Sequence, residues 1–331
     1  MAALVTVFGG SGFVGRYIVR RLAKAGYRVR VAVRNPNDAL FLRPYGTVGQ
    51  VEPVLCNIRD DASVALALRG ASAAVNCVGT FDKGGVNNFD AVQVEGAARI
   101  ARLAAAAGVT RLVHLSAIGA DPDGESRYAQ TKAEGEAKIL ATFPSAVILR
   151  PSVVFGPEDG FFNKFAGMAR LGPIFPLVGG ETLFQPVYVD DVAAAAVAVV
   201  NGHAAAGIYE LGGPESASLM TLIKRMLTEI HRRRLVLNMP SFVGDLMGLL
   251  LDFASALTIG LFPNRILTRD QARQLRTDNI VSGRYPGLSD LGITPTHMDA
   301  IIPNYLWRFR PSGQYDAIKD SAKALSDRMN G

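Results

Sequence analysis

The run Val5-Thr6-Val7-Phe8-Gly9-Gly10-Ser11-Gly12-Phe13-Val14-Gly15-Arg16 confines its chain to a strand, a tight turn and a helix in immediate succession. Gly9 supplies the turn, Gly12 lets the backbone approach a phosphate, and Gly15 lets helix and strand pack closely. Both the G-x-x-G-x-x-G and the G-x-G-x-x-G readings fit. Tyr17-Ile18-Val19-Arg20-Arg21-Leu22 then reads as an amphipathic helix whose N-terminus faces the turn, an arrangement that holds a dinucleotide pyrophosphate. Ser11, Phe13, Val14 and Arg16 complete the turn as candidate cofactor contacts.

Strand and helix patterns alternate from there on. Strands are expected at Arg28 to Val33, Val51 to Leu55, Ala73 to Val78, Arg111 to Leu115 and Ala146 to Leu149, with helices at Val94 to Ala107 and Ala133 to Leu140. This alternation predicts an α/β fold, a Rossmann-like doubly wound parallel sheet with a smaller, mainly helical C-terminal subdomain. The expected division is residues 1–155 for the nucleotide-binding domain, continued by 186–213, with 156–185 and 214–331 forming the smaller part. In such a sheet the third and fourth strands flank the first, which separates Cys56 from Cys77 and leaves both as thiols.

The end of the second strand selects the nucleotide. A NAD site carries a carboxylate there for the ribose hydroxyls. Here the position reads Arg34-Asn35-Pro36, with no acid before Asp38. A guanidinium at that point suits a 2′-phosphate, with Arg16 as a second cation, so NADPH (NADP) is the expected cofactor. Asn57 and Ile58, after the third strand, are expected beside the adenine, and Val78 and Gly79 beside the second ribose.

With 49% hydrophobic and 19% charged residues over 331 positions, the chain is that of a folded globular protein. The four histidines lack ligand spacing, so no metal is expected. The net charge of +6 is unevenly placed: His231-Arg232-Arg233-Arg234 form a run, and Arg265, Arg269, Arg273 and Arg276 recur at helical spacing. Without aromatic interleaving this argues against nucleic acid and for an anionic membrane surface, met through 241–276, or an acidic protein. Ser241 to Phe262 is mostly apolar but contains Asp245 and Asp252, a poor transmembrane span. A packed core helix and a membrane-surface helix both fit it. The first strand starts almost at Met1, which leaves no room for a presequence and favours a cytoplasmic origin.

Several further runs carry a resemblance. Gly9-x-x-Gly12-x-x-Gly15, Asn57-Ile58-Arg59-Asp60, Tyr128-x-x-x-Lys132, Arg150-Pro151 and Tyr188-Val189-Asp190-Asp191-Val192-Ala193 resemble the extended and atypical short-chain dehydrogenase/reductase superfamily over residues 1–215. Within it, the stretches around His114-Leu115-Ser116-Ala117, Ser126 to Glu136 and Leu149 to Asp159 are similar to the NADPH-binding accessory subunits of respiratory complex I. The superfamily resemblance implies that Tyr128 serves as the acid or base and that Lys132 binds the nicotinamide ribose. Ser116, Pro151 and Val154 are further candidates for cofactor contact. It also implies a hydroxyl residue beyond the fifth strand to polarise a substrate, where this chain has Ser116 followed by Ala117, Ile118 and Gly119.

The resemblance to the accessory subunits implies a tightly held NADPH and a structural, assembly or regulatory role without independent catalysis. The partners would be other complex I subunits. The expected location is peripheral, on the cytoplasmic side of a bacterial inner membrane or the matrix side of a mitochondrial one. The alternatives are a soluble NADP-dependent reductase or sugar-nucleotide epimerase/dehydratase using Tyr128 and Lys132, and a regulator that binds a partner according to nucleotide occupancy.

Overall fold

The computed structural model describes residues 2–81, 84–240 and 269–315. Chain contacts divide it into two units. The first comprises Met1–Ser152, Val187–Gly213 and Asn279–Pro295. Its elements are β1 (Leu4–Phe8), α1 (Phe13–Lys24), β2 (Arg28–Val33), β3 (Val51–Leu55), α2 (Asp61–Leu68) and β4 (Ala73–Asn76). A π-helical turn, Asp90–Gly96, leads into α3 (Ala97–Ala106), followed by β5 (Arg111–Leu115), α4 (Arg127–Thr142) and β6 (Val147–Pro151).

Seven strands form one parallel sheet in the order Gly207–Leu211, β6, β5, β4, β1, β2, β3. A parallel sheet is covered on both faces, so its strands need continuous apolar runs rather than alternation. In β1, Val5, Val7 and Phe8 are fully buried, and the one hydroxyl, that of Thr6, donates to the Ala67 carbonyl at 2.8 Å. The strand order reverses between β1 and β4, and their C-terminal ends open the crevice where such folds take ligands. The order keeps β3 and β4 on opposite flanks of the β1–β2 pair, and Cys56 and Cys77 are free thiols.

The helix Val189–Val200 packs against α1. Asp190 joins the two: it accepts from Arg21 at 2.9 and 2.8 Å and from Arg20 at 3.2 Å. The Tyr188 to Ala193 run thus holds the helix that carries the glycine turn. One boundary differs from the sequence expectation. Asn279–Pro295, expected in the smaller part, belongs to the first unit. The cause is a set of buried polar groups that need partners: Ser152 Oγ donates to Asn279, and the buried Glu210 accepts from the backbone and hydroxyl of Ser282.

The second unit comprises Val153–Pro186, Pro214–Asp278 and Thr296–Gly331. Its described helices include Phe162–Met168 and Leu219–Glu229, with two small ribbons, Ile174–Val178 parallel to Leu235–Met239 and Leu183–Phe184 antiparallel to Ala217–Ser218. Buried Asp159 organises its first loop, accepting from the backbone of Gly156, Phe161 and Asn163 and from the Tyr305 hydroxyl at 2.7 Å. The apolar segment 241–262 and Arg265 lie outside the described residues. No described helix is long and apolar enough to cross a membrane.

Candidate nucleotide-binding site

Gly9 has φ +73°, a conformation that L side chains rarely adopt, and a Cβ there would lie 3.1 Å from Val78. Gly12 is the N-cap of α1, and no side chain caps it; the first turn carries no acid, while Arg21 and Lys24 occupy the last turn. The amides and the positive end of the helix dipole are therefore offered to an anion. Gly15 is the tightest of the three: a Cβ there would sit 2.4 Å from the Gly9 carbonyl oxygen and 2.7 Å from Gly10 Cα. Ser11, Phe13 and Val14 lie along this turn.

Arg34 is exposed where β2 ends, and Asn35 caps the 3-10 segment Pro36–Tyr45 by accepting from Asn37 N–H at 3.2 Å. Arg16 lies 4.9 Å over the Phe41 ring of that segment and donates to the carbonyls of Gly12 and Ser11 at 3.3 Å. Asn57 Oδ1 accepts from Arg59 N–H at 3.1 Å, which closes the turn before α2, and Ile58 packs against Gly96 of the π-helical turn. Pro151 ends β6, its carbonyl accepting from Ile118 N–H at 3.0 Å. Val154 falls in the second unit, outside the 1–152 stretch that holds the other candidates.

Buried side chains shape the floor between β4 and β5. Asn76 Oδ1 accepts from Val78 N–H at 3.1 Å, which fixes the amide, so its Nδ2 donates to His114 Nδ1 at 3.0 Å. His114 is thus neutral with its proton on Nε2; burial, then the nearby Lys132 charge, pushes its pKa down to about 3. Ser126 begins α4, its hydroxyl accepting from Ala129 N–H at 3.1 Å, which places Tyr128 in the first turn and Lys132 one turn on. Lys132 Nζ donates to the Leu115 carbonyl at 3.2 Å and lies 5.8 Å from the Tyr128 ring centre. A Cβ on Gly79 would meet Nζ at 3.9 Å, so the ammonium borders the segment expected to flank the ribose. Burial lowers Lys132 to about 8 against the raising effect of Glu136. Burial raises Tyr128 to about 12. Its ring stacks on Phe81 at 5.3 Å and meets Phe89 edge-on at 6.1 Å.

Ser116 bonds to a third residue of this helix. Its buried hydroxyl donates to Glu136, and Arg150 grips the same carboxylate at 3.0 Å through Nε and 2.5 Å through NH2. Glu136 and Arg150 are partners that the sequence reading did not assign, although Glu136 stands one turn beyond Lys132. Gln93 was also missed. Its Nε2 donates to Thr80 O at 2.8 Å and its Oε1 accepts from Thr131 at 3.0 Å, while its own carbonyl would lie 2.2 Å from a Cβ on Gly135. The π-helical turn therefore locks the loop after β4 to the helix bearing Tyr128 and Lys132. The legible sign is Gly135, a glycine inside an otherwise good helix.

Known proteins match this arrangement. The model of the NAD dependent epimerase/dehydratase family matches residues 5–212. The mitochondrial NADH dehydrogenase (ubiquinone) 1 alpha subcomplex subunit 9 of Arabidopsis thaliana is 32% identical over 98% of this chain and 82% of its own length. Its Mus musculus namesake is 33% identical over 93% of this chain and 80% of its own. Among solved structures, the Thermus thermophilus UDP-glucose 4-epimerase complex with NAD superposes with TM-score 0.66 at 20% identity, covering 93% of this chain and 99% of that one. From the glycine turn through the Tyr128–Lys132 helix to the last sheet strand, the chain belongs to the NAD dependent epimerase/dehydratase family, together with the alpha subcomplex subunit 9 proteins of NADH dehydrogenase.

Proposed function

We propose that this chain is a non-catalytic accessory subunit of a complex I-type NADH dehydrogenase and that it holds NADPH as a structural or regulatory ligand. One observation carries the reading. Ser116 is the only hydroxyl residue in 116–119, and its hydroxyl donates to Glu136, so the position expected to polarise a substrate is engaged within the protein itself. The near full-length likeness to the subunit 9 proteins supports the assembly role.

Gly9, Ser11, Gly12, Phe13, Val14 and Gly15 would cradle the pyrophosphate, with Arg34 and Arg16 at a 2′-phosphate and Asn57 and Ile58 at the adenine. Val78, Gly79, Tyr128, Lys132 and Pro151 complete the proposed set at the nicotinamide half, all within the first unit. The nucleotide would supply hydride chemistry when bound. The protein's part is to bind it, fix its ribose through Lys132 and keep the Tyr128 proton in place at neutral pH, since burial holds that phenol at about 12.

Peripheral docking on an anionic membrane face is supported by the second unit. Arg232, Arg233 and Arg234 lead into the strand Leu235–Met239, which pairs with Ile174–Val178 so that Leu235 lies beside Ile174. Leu171, Ile174, Leu235 and Leu237 are 86%, 56%, 61% and 44% exposed, a cluster of apolar side chains next to a basic run. We expect Arg233→Gln to weaken binding to phosphatidylserine vesicles about fivefold at physiological salt, from about 1 kcal/mol per cation. Equal binding in a flotation assay would remove this surface from the contact.

Native mass spectrometry of the gently purified assembly tests the whole reading. Stoichiometric NADPH together with respiratory subunits is expected. The enzyme alternative, a soluble reductase or epimerase/dehydratase, is favoured by the intact Tyr128–Lys132 turn and predicts a free protein with exchangeable nucleotide. The two separate in Tyr128→Phe: the subunit reading expects assembly to persist with no turnover to lose, whereas turnover that the variant loses would establish the enzyme.

A further inference from the structure

We infer that Glu136, pinned by Ser116 and Arg150, is a positioning residue that keeps Lys132 protonated so that its ammonium can hold the nucleotide ribose; the inference rests on the nucleotide-binding reading above.

Lys132 is only 5% exposed and Glu136 only 3%, one helical turn apart on the buried side of α4. An ammonium in such a place favours its neutral form unless an anion is nearby. The surroundings offer one. On α4 the neighbours are Tyr128 and Glu136; from β5 come His114 and the Leu115 carbonyl; after β4 comes Cys77. His114 is neutral above about pH 3, and burial raises both Cys77 and Tyr128 to about 12. Of this set Glu136 is the one carboxyl side chain, and its effect on Lys132 is to favour the ammonium.

Glu136 cannot swing to Lys132 and form a closed ion pair, because Arg150 takes both its oxygens and Ser116 donates to one of them. The ammonium stays on the Leu115 carbonyl, and among the described residues two of its three protons are left for a ribose diol. The triad thus supplies charge from a fixed distance without consuming the donors.

The test is NADPH affinity measured by fluorescence titration on the full chain, from about pH 6.5 to about pH 9.5, a span that brackets the lysine's midpoint. Lys132 charge is present below its midpoint near 8 and lost as pH rises, so wild-type affinity should fall on the alkaline side. Lys132→Arg should abolish that fall. In Glu136→Gln the midpoint should move down by about one pH unit, the lower end expected for one opposite charge, which weakens binding about threefold roughly half a pH unit below the wild-type midpoint. Ser116→Ala, which keeps the carboxylate and its Arg150 clamp, should leave the midpoint where it was. Because Glu136→Gln strands the Arg150 charge, the neutral pair Glu136→Gln/Arg150→Met is measured beside it and must show a downward move that is smaller than the single variant's, since the guanidinium's repulsion is removed with it. An unmoved midpoint in both the single and the double variant overturns the inference while leaving nucleotide binding intact. A wild-type chain that binds no NADPH at any pH overturns the nucleotide reading, and this inference with it.

Discussion

Gly15→Val is expected to lower the melting temperature by about 10 °C and to abolish co-purifying nucleotide. Its Cβ would lie 2.4 Å from the Gly9 carbonyl oxygen, 2.7 Å from Gly10 Cα and 3.1 Å from the Gly10 carbonyl carbon. All three neighbours are backbone, so no side chain can rotate away. Overpacking of this kind costs about 3 kcal/mol, and each kcal/mol is worth about 2–4 °C in a domain of this size. Gly12 belongs to the same motif but gives a different result. A Cβ there meets only the Gly9 oxygen, at 3.2 Å. Gly12→Ala should therefore melt close to the wild type without nucleotide while binding NADPH at least tenfold more weakly, since the lost space is the ligand's. Differential scanning calorimetry of the nucleotide-free proteins, followed by titration, separates the two effects. Equal melting of Gly15→Val and wild type would show that the turn tolerates a wider separation of α1 from the sheet.

The contrast between the two glycines shows where sequence reading works and where it stops. The glycine turn, the parallel strands and the Tyr128–Lys132 turn were legible because each is local: a few consecutive residues dictate the backbone, and continuous apolar runs dictate two-sided burial. The spacing within a helix likewise puts Lys132 and Glu136 on one face. The sequence does not say that Glu136 will be shared by a serine at the end of β5 and an arginine in β6, because that contact depends on strands whose order is set by the whole sheet. The bond from Ser116 to Glu136 accordingly emerges only when β5, α4 and β6 are placed side by side. Gln93 is hidden for the same reason, and its π-helical turn departs from the ordinary helix expected from Val94. The return of Asn279–Pro295 to the first unit was invisible because the polar groups that demand it, Ser152 and Glu210, lie far from it in sequence.

Arg34→Asp should change the nucleotide preference by two to three orders of magnitude, the largest functional effect expected from a single substitution. Arg34 is exposed at the tip of β2, directly followed by the Asn35 cap that fixes the course of the next segment, so its backbone position is set while its guanidinium remains available to solvent. A charge-assisted hydrogen bond to a 2′-phosphate is worth about 1.5–3 kcal/mol, and its replacement by a carboxylate adds repulsion. NADPH affinity should therefore fall by about 30- to 100-fold. NADH, which has ribose hydroxyls to donate there, gains an acceptor worth about 1 kcal/mol, or about fivefold. Arg16 is the weaker of the two candidate cations, because its side chain already spans the Phe41 ring and the Gly12 and Ser11 carbonyls. Arg16→Ala should lower the affinity for both nucleotides alike by loosening the turn. Parallel titrations of the variants with NADPH and NADH at two salt concentrations decide the point: the Arg34 effect on NADPH must shrink as salt rises. If the ratio of the two affinities is unchanged in Arg34→Asp, the 2′-phosphate is held elsewhere, and the preference for NADPH no longer follows from the end of β2.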